Sequence, residues 1–213
     1  VPEGVSDEMA VLASDIMSTG FGAIERAGLK PGDSVAIFAQ GPVGLCATAA
    51  ARAMGAGLII AVESIPERVA MSQRLGANVV IDPRQKDPVA EIMELTGGRG
   101  VDIAVEAVGT QPTFEAATRV IRRGGTVSSV GVYGLLPQVS MPTMVPSFLH
   151  RRVVTTLCPS GRDRMDHLLS LARWGNIDLS PLFTHSLSLT EAPRAYQMFR
   201  NKEEGVIKIA IRP

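Results

Sequence analysis

The residues best placed to do chemistry form a short bend, Ala39-Gln40-Gly41-Pro42-Val43-Gly44, between an apolar run and an Ala-rich one. Where a strand turns sharply into a helix, the helix's free N–H groups and its dipole make an anion site. A diphosphate held there asks for glycine at three places: for the tight turn, for close approach of the ligand, and for packing helix on strand. Gly41 and Gly44 fill the second and third. Ala39 stands at the first, where a methyl group is tolerated if φ stays negative. Glu63 follows nineteen positions after Gly44, at the end of the next apolar run. A carboxylate there accepts hydrogen bonds from the 2′- and 3′-hydroxyls of a ribose and repels a 2′-phosphate. Ser64 and Ile65 offer that phosphate no cation, so the pattern favours NAD over NADP. Arg68, one helical turn on, weakens the preference.

Two later runs end in small residues, EAVG at 106–109 and SVGVYG at 129–134. In a doubly wound sheet those ends face the second half of a dinucleotide. Val108, Gly109, Val130 and Gly131 leave room for a flat ring; taken alone, they are also ordinary strand-to-loop punctuation. Proteins that bind S-adenosylmethionine share a Gly-rich turn followed by an acid. The GPVG bend opening a full helix, with two further strands behind it, favours the dinucleotide.

Elements of alternating type must position these residues. Strands are expected over Ser34–Ala39, Leu58–Val62, Val79–Ile81, Val101–Val105, Gly125–Val130 and Val153–Leu157. Helices are expected over Pro42–Met54, Pro66–Leu75, Pro88–Thr96, Thr113–Arg122 and Arg162–Trp174. Buried β-runs separated by helices specify an α/β fold, a doubly wound parallel sheet of the Rossmann type in the order 3-2-1-4-5-6. Residues 1–30 and 181–213 fall outside the alternation, leaving 31–180 as the dinucleotide-binding domain.

Lys and Arg number 21, as do Asp and Glu. A net charge of zero gives no general attraction for nucleic acid or an anionic membrane, and the apolar runs fall short of the ~20 residues of a membrane span. Two cysteines, Cys46 and Cys158, form no CxxC pair, which suits a reducing cytoplasm. The opening VPEGVSDEMA reads as the interior of a longer protein.

Several stretches, in order, resemble the medium-chain zinc-dependent alcohol dehydrogenases, and among them the bacterial secondary-alcohol branch. They are LASDIMSTGF (12–21), GLKPGDSVAIFAQGPVGL (28–45), GANVVID (76–82), GGRGVDIAVEAVG (97–109), LCPSGRDRM (157–165) and the terminal block 184–211. The resemblance runs nearly end to end, over the family's coenzyme-binding domain. It implies that Val43 backs the nicotinamide ring and Thr19 lies beside it as the catalytic threonine. Backbone groups at Val130 and Val132 would hold the carboxamide, and Lys208 would reach the pyrophosphate. Asp15 falls where the family places the third protein ligand of its catalytic zinc. The first two ligands, a Cys and a His, come in the family from an upstream catalytic domain with no counterpart here. Neither His150, His167 nor His185 stands at ligand spacing, and each reads as a surface or structural residue.

The resemblance thus implies NAD and zinc as cofactors of the whole enzyme, an alcohol or ketone substrate, and a homo-oligomer, dimer or tetramer. By itself the chain is expected to bind cofactor without efficient turnover. Residues 1–30 would lead from the catalytic domain and 181–213 return to it, while the apolar stretch Thr126–Pro146 is the expected subunit contact. A stand-alone NAD-binding interaction or redox-sensing module, and the coenzyme domain of a zinc-free quinone reductase, are the alternatives.

Overall fold

The computed structural model describes residues 1–134, 138–141, 150–175 and 177–213. At its centre six parallel strands form one sheet: β1 (Ser34–Phe38), β2 (Leu58–Val62), β3 (Val79–Ile81), β4 (Val101–Glu106), β5 (Ile121–Ser129) and β6 (Arg152–Thr155). Their order is β3-β2-β1-β4-β5-β6, as the alternation predicts. The winding reverses between β1 and β4, and a crevice opens outside their carboxyl ends. Ile37 of β1 sits opposite Ala61 of β2 on one side and Val105 of β4 on the other, so the ends of these three strands are level.

β1 and β4 are buried along their whole length, which is why they read as nearly unbroken apolar runs. Side chains alternate between two cores. Val35, Ile37, Ile103 and Val105 join the first, with Met17, Ile24 and Leu45. Ala36, Phe38, Ile60 and Ala104 join the second, with Ile92, Phe114 and Val127. The helices covering the sheet include α3 (Pro42–Ala53), α4 (Pro66–Leu75), α5 (Pro88–Leu95) and α6 (Gln111–Val120), each with proline at its first or second position, where a missing N–H costs little.

Two segments differ from the sequence expectation. β5 begins at Ile121 rather than Gly125, and its register with β4 shifts between Val101 and Ile103. Thr126, Val127, Ser128 and Ser129 are buried inside the sheet between β4 and β6, so this part of the expected subunit contact is unavailable to a partner. Residues 135–137 and 142–146 of the same stretch lie outside the described residues. The N-terminal segment holds α1 (Asp7–Ser14) and α2 (Ile16–Ala27), and α2 packs on the sheet beside α3. Ser128 Oγ donates to Ala23 O at 2.8 Å. A β-carbon at Gly20 would lie 2.6 Å from Cys46 Cβ, so the two helices meet with nothing larger than glycine between them.

After α7 (Arg162–Arg173), β7 (Phe183–Ser188), α8 (Ala192–Asn201) and β8 (Lys208–Arg212) form a small unit whose two strands pair in parallel. Leu182 and Ile207 anchor it in the first core, and Arg212 pairs with Glu8 of α1. Among the described residues no helix is long and apolar enough to cross a membrane.

Candidate functional site

The bend at the end of β1 lies in the crevice. Gly41 is the N-cap of α3, at φ −66° and ψ 179°, and no side chain caps the helix. Its first-turn amides are therefore left for a ligand. A β-carbon on Gly41 would meet nothing closer than Arg68 Nη1 at 3.9 Å, so the space over the bend is open. Gly44 is the opposite case: a β-carbon there would lie 2.0 Å from Ala39 O. That glycine lets helix and strand touch. Pro42 fixes the first helical position, and Val43 is half-buried against the first core.

Ala39 departs from expectation. Its φ is +70°, in the left-handed region, not the negative value under which a methyl group costs nothing. Its amide donates to Val62 O at 2.9 Å, and its carbonyl must clear Gly44. These two contacts impose the glycine-like conformation, at about 1–2 kcal/mol for an L-residue.

Glu63 closes the floor of the crevice. It is 7% exposed, and its carboxylate faces the bend. Oε2 accepts from Gln40 N at 3.0 Å, and Oε1 from Ser64 N at 2.7 Å and Ile65 N at 3.1 Å. Arg68 Nη1 approaches Oε2 at 3.9 Å, while Arg68 Nε is buried without a hydrogen-bond partner. Gln40 is fully buried; its Oε1 accepts from Thr48 Oγ1 at 2.8 Å, yet its Nε2 has no partner. Sequence reasoning passed over Gln40, although a polar residue inside a buried bend was its signal.

At the ends of β4 and β5 the backbones nearly touch. Gly109 is at φ +90°, and a β-carbon there would lie 2.3 Å from Val132 O; one on Gly131 would lie 2.2 Å from Gly109 N. Val130 N and Gly131 N both donate to Glu106 O, at 2.9 and 3.2 Å. Val108 and Val132 are 40% and 76% exposed at the crevice rim. The pivot here is Glu106, a buried acid whose signal in the sequence is only its place in EAVG.

α2 brings Asp15 and Thr19 to the same end of the sheet. Thr19 Oγ1 donates to Asp15 Oδ1 at 3.3 Å, and the Gly20 contact sets Thr19 beside Val43, whose carbonyl would be 2.8 Å from a β-carbon on Gly20. Burial pushes the Cys46 thiol up; nearby Lys208 opposes this and Asp15 reinforces it. Lys208 of β8 and Asp15 therefore both lie within electrostatic reach of α3's first turns. Cys158 Sγ is 3.8 Å from Asp15 O.

The crevice fits a dinucleotide: an open, uncapped helix start, a glycine with room above it, two unpartnered buried donors on Gln40 and Arg68, and a carboxylate on the adjoining strand. Zinc is different. Among the described residues no group of three or more His, Cys, Asp or Glu side chains converges, and Asp15 is one ligand where a catalytic zinc takes three from protein. The described residues do not by themselves fit the ion.

Comparisons with known proteins agree with the fold. The profile of a family described as zinc-binding dehydrogenase matches residues 42–174. An alcohol dehydrogenase of Cupriavidus necator is 46% identical over 213 residues, covering all of this chain and 58% of that protein. An NADP-dependent isopropanol dehydrogenase of Thermoanaerobacter brockii is 34% identical, over 98% of this chain and 60% of that one. The solved alcohol dehydrogenase of Thermus sp. ATN1 superimposes with a TM-score of 0.89 at 35% identity, over all of this chain and 60% of that structure. The chain thus spans less than two thirds of the length of these relatives.

Proposed function

The chain belongs to the zinc-binding dehydrogenase family, and from that premise we propose that it is the coenzyme-binding portion of a zinc-dependent alcohol dehydrogenase that takes NAD. In the whole protein the reaction is hydride transfer between the cofactor and a secondary alcohol or its ketone. The relatives' greater length supports a division in which 1–30 lead from a catalytic domain, 31–180 bind the dinucleotide and 181–213 return. Exposed Tyr196, Phe199 and Ile211 on α8 and β8 give the returning segment an apolar face to cover. A dimer or tetramer of such chains is part of the same reading.

The first-turn amides of α3 and the space above Gly41 receive the diphosphate, and Lys208 adds positive charge beside it. Glu63 binds the adenosine ribose, using the lone pairs its three amides leave free. Gly109, Val130, Gly131 and Val132 shape the nicotinamide end, with Val43 behind the ring and Thr19 at its side. Bound nicotinamide supplies the two-electron redox chemistry; the protein supplies orientation and electrostatics. Asp15 serves as one zinc ligand, completed by residues outside this chain.

The observation that carries the reading is the Glu63 carboxylate, fixed by three amides at the tip of β2. A negative charge held there is unfavourable for a 2′-phosphate, and this supports NAD although the Thermoanaerobacter relative is named as NADP-dependent. Two nearby cations oppose it: Arg68, and Arg84, whose guanidinium donates to Ser64 O and lies within electrostatic reach of Glu63. Fluorescence titration of the 213-residue chain tests this. NADH should bind saturably and more tightly than NADPH, while oxidation of a secondary alcohol stays at background with added zinc. Absence of NADH binding, or preference for NADPH, would refute the assignment.

A further inference from the structure

We propose that Glu106 is a positioning and charge-setting residue that makes the site favour the oxidised over the reduced cofactor. The inference rests on the coenzyme reading above. Glu106 ends β4 and is 0% exposed. Its Oε1 accepts from Val108 N at 2.9 Å, Gly109 N at 2.8 Å and Thr113 Oγ1 at 2.8 Å. Its Oε2 accepts from Tyr133 Oη at 2.9 Å, and Ser129 Oγ lies 3.3 Å from that oxygen and 2.7 Å from Tyr133 Oη. Four neutral donors hold one buried carboxylate, with Ser129 Oγ bonded to Tyr133 Oη behind them, and none of the ion pairs among the described residues includes it.

The other acid of β4 shows the contrast. Asp102, near the strand's opposite end, pairs with both Arg99 and Arg122. One end of β4 is neutralised and the other is not. Neutral donors make an ionised carboxylate tolerable in a buried site, but they leave its net charge in place.

That charge lies beneath the backbone assigned to nicotinamide. A β-carbon on Gly131 would lie 2.5 Å from Glu106 Oε2, and the Gly109 amide points at Oε1. The oxidised nicotinamide ring is a cation and the reduced ring is neutral. A fixed negative charge favours the cation, and because Glu106 is itself buried the interaction is screened less than in bulk solvent. The same bonds hold the loops after β4 and β5 in register, which is the positioning part of the role.

The test measures dissociation constants of NAD+ and NADH for the 213-residue chain and two variants, by calorimetry and by competition against NADH fluorescence. Glu106→Gln is nearly isosteric: its oxygen keeps the donors on the Oε1 side, and its amide can donate to Ser129 and Tyr133. The ratio Kd(NAD+)/Kd(NADH) should rise by on the order of tenfold in this variant. Glu106→Asp shortens the side chain and keeps the charge, so the ratio should stay near the parent's; this variant decides the matter if Glu106→Gln does not fold. An unchanged ratio in folded Glu106→Gln, or a ratio that rises tenfold in Glu106→Asp, overturns the inference while the coenzyme reading stands. If the parent chain binds neither form, the coenzyme reading fails first and this inference fails with it.

Discussion

The two glycines of the bend should fail in different ways when given a methyl group. In Gly44→Ala the new β-carbon would sit 2.0 Å from Ala39 O and 3.0 Å from Ala39 C. Backbone atoms cannot rotate away, so α3 and the bend must separate by more than about 1 Å. Overpacking of this kind costs about 1–3 kcal/mol, partly offset by the helix preference of Ala over Gly, up to ~1 kcal/mol. A net loss of about 1–2 kcal/mol lowers the melting temperature by roughly 2–8 °C for a chain of this size. Displacing the amides also removes charge-assisted hydrogen bonds to the diphosphate, each worth about 1.5–3 kcal/mol, so the NADH dissociation constant should rise at least tenfold. Gly41→Ala keeps an allowed φ of −66° and meets nothing within 3.9 Å. It should cost only about 0.5 kcal/mol as a poorer N-cap, yet fill the space the diphosphate needs and weaken NADH by a comparable factor. Melting by circular dichroism with NADH titration of both variants separates the effects. A Gly44→Ala protein as stable as its parent, or a Gly41→Ala protein that binds NADH like its parent, would refute the geometry.

Ala39→Gly should relieve the left-handed strain and stabilise the chain by up to about 1 kcal/mol, after the added freedom of the unfolded glycine is subtracted; urea denaturation would show it. Glu63→Gln sets an amide N–H against one of the three backbone donors, costing about 1–3 kcal/mol, and should narrow the gap between NADH and NADPH affinity in parallel titrations. Burial works to raise the Asp102 carboxyl, but the Ser34 amide, the Arg122 side chain, the Ser34 hydroxyl and Arg99 outweigh it and hold it well below the usual carboxylate range. A depressed folded value stabilises fully above the unfolded value of about 3.9 and is lost as pH falls through the folded one. Asp102→Asn should therefore cost about 3 kcal/mol at pH 7 and remove that contribution to stability loss below about pH 4, read from denaturation midpoints across the acid range.

Much of the sheet was legible because glycine and proline punctuate it. Pro42, Pro66 and Pro88 open helices where the sequence puts them, and the runs 58–62 and 79–81 are strands with the expected ends. What was illegible depends on partners distant in sequence. Nothing local to Ala39 forces a positive φ; Val62 and Gly44 do. Nothing in residues 16–27 reveals a helix laid on the sheet, because the Gly20–Cys46 contact and the Ser128–Ala23 bond span long stretches of chain. Glu63 was legible from its spacing, but not its saturation by three amides. Glu106 was hidden because a charge at the end of an apolar strand reads equally well as the strand's exit into solvent.

Amide-resolved NMR of the labelled 213-residue chain, titrated with NADH, is the most direct check on the crevice. Saturable shifts should concentrate at Gly41, Val43, Gly44, Ser64 and Ile65, with a second group at Val108–Gly109 and Val130–Val132. Shifts absent there, or centred instead on α8 and β8, would contradict the assignment.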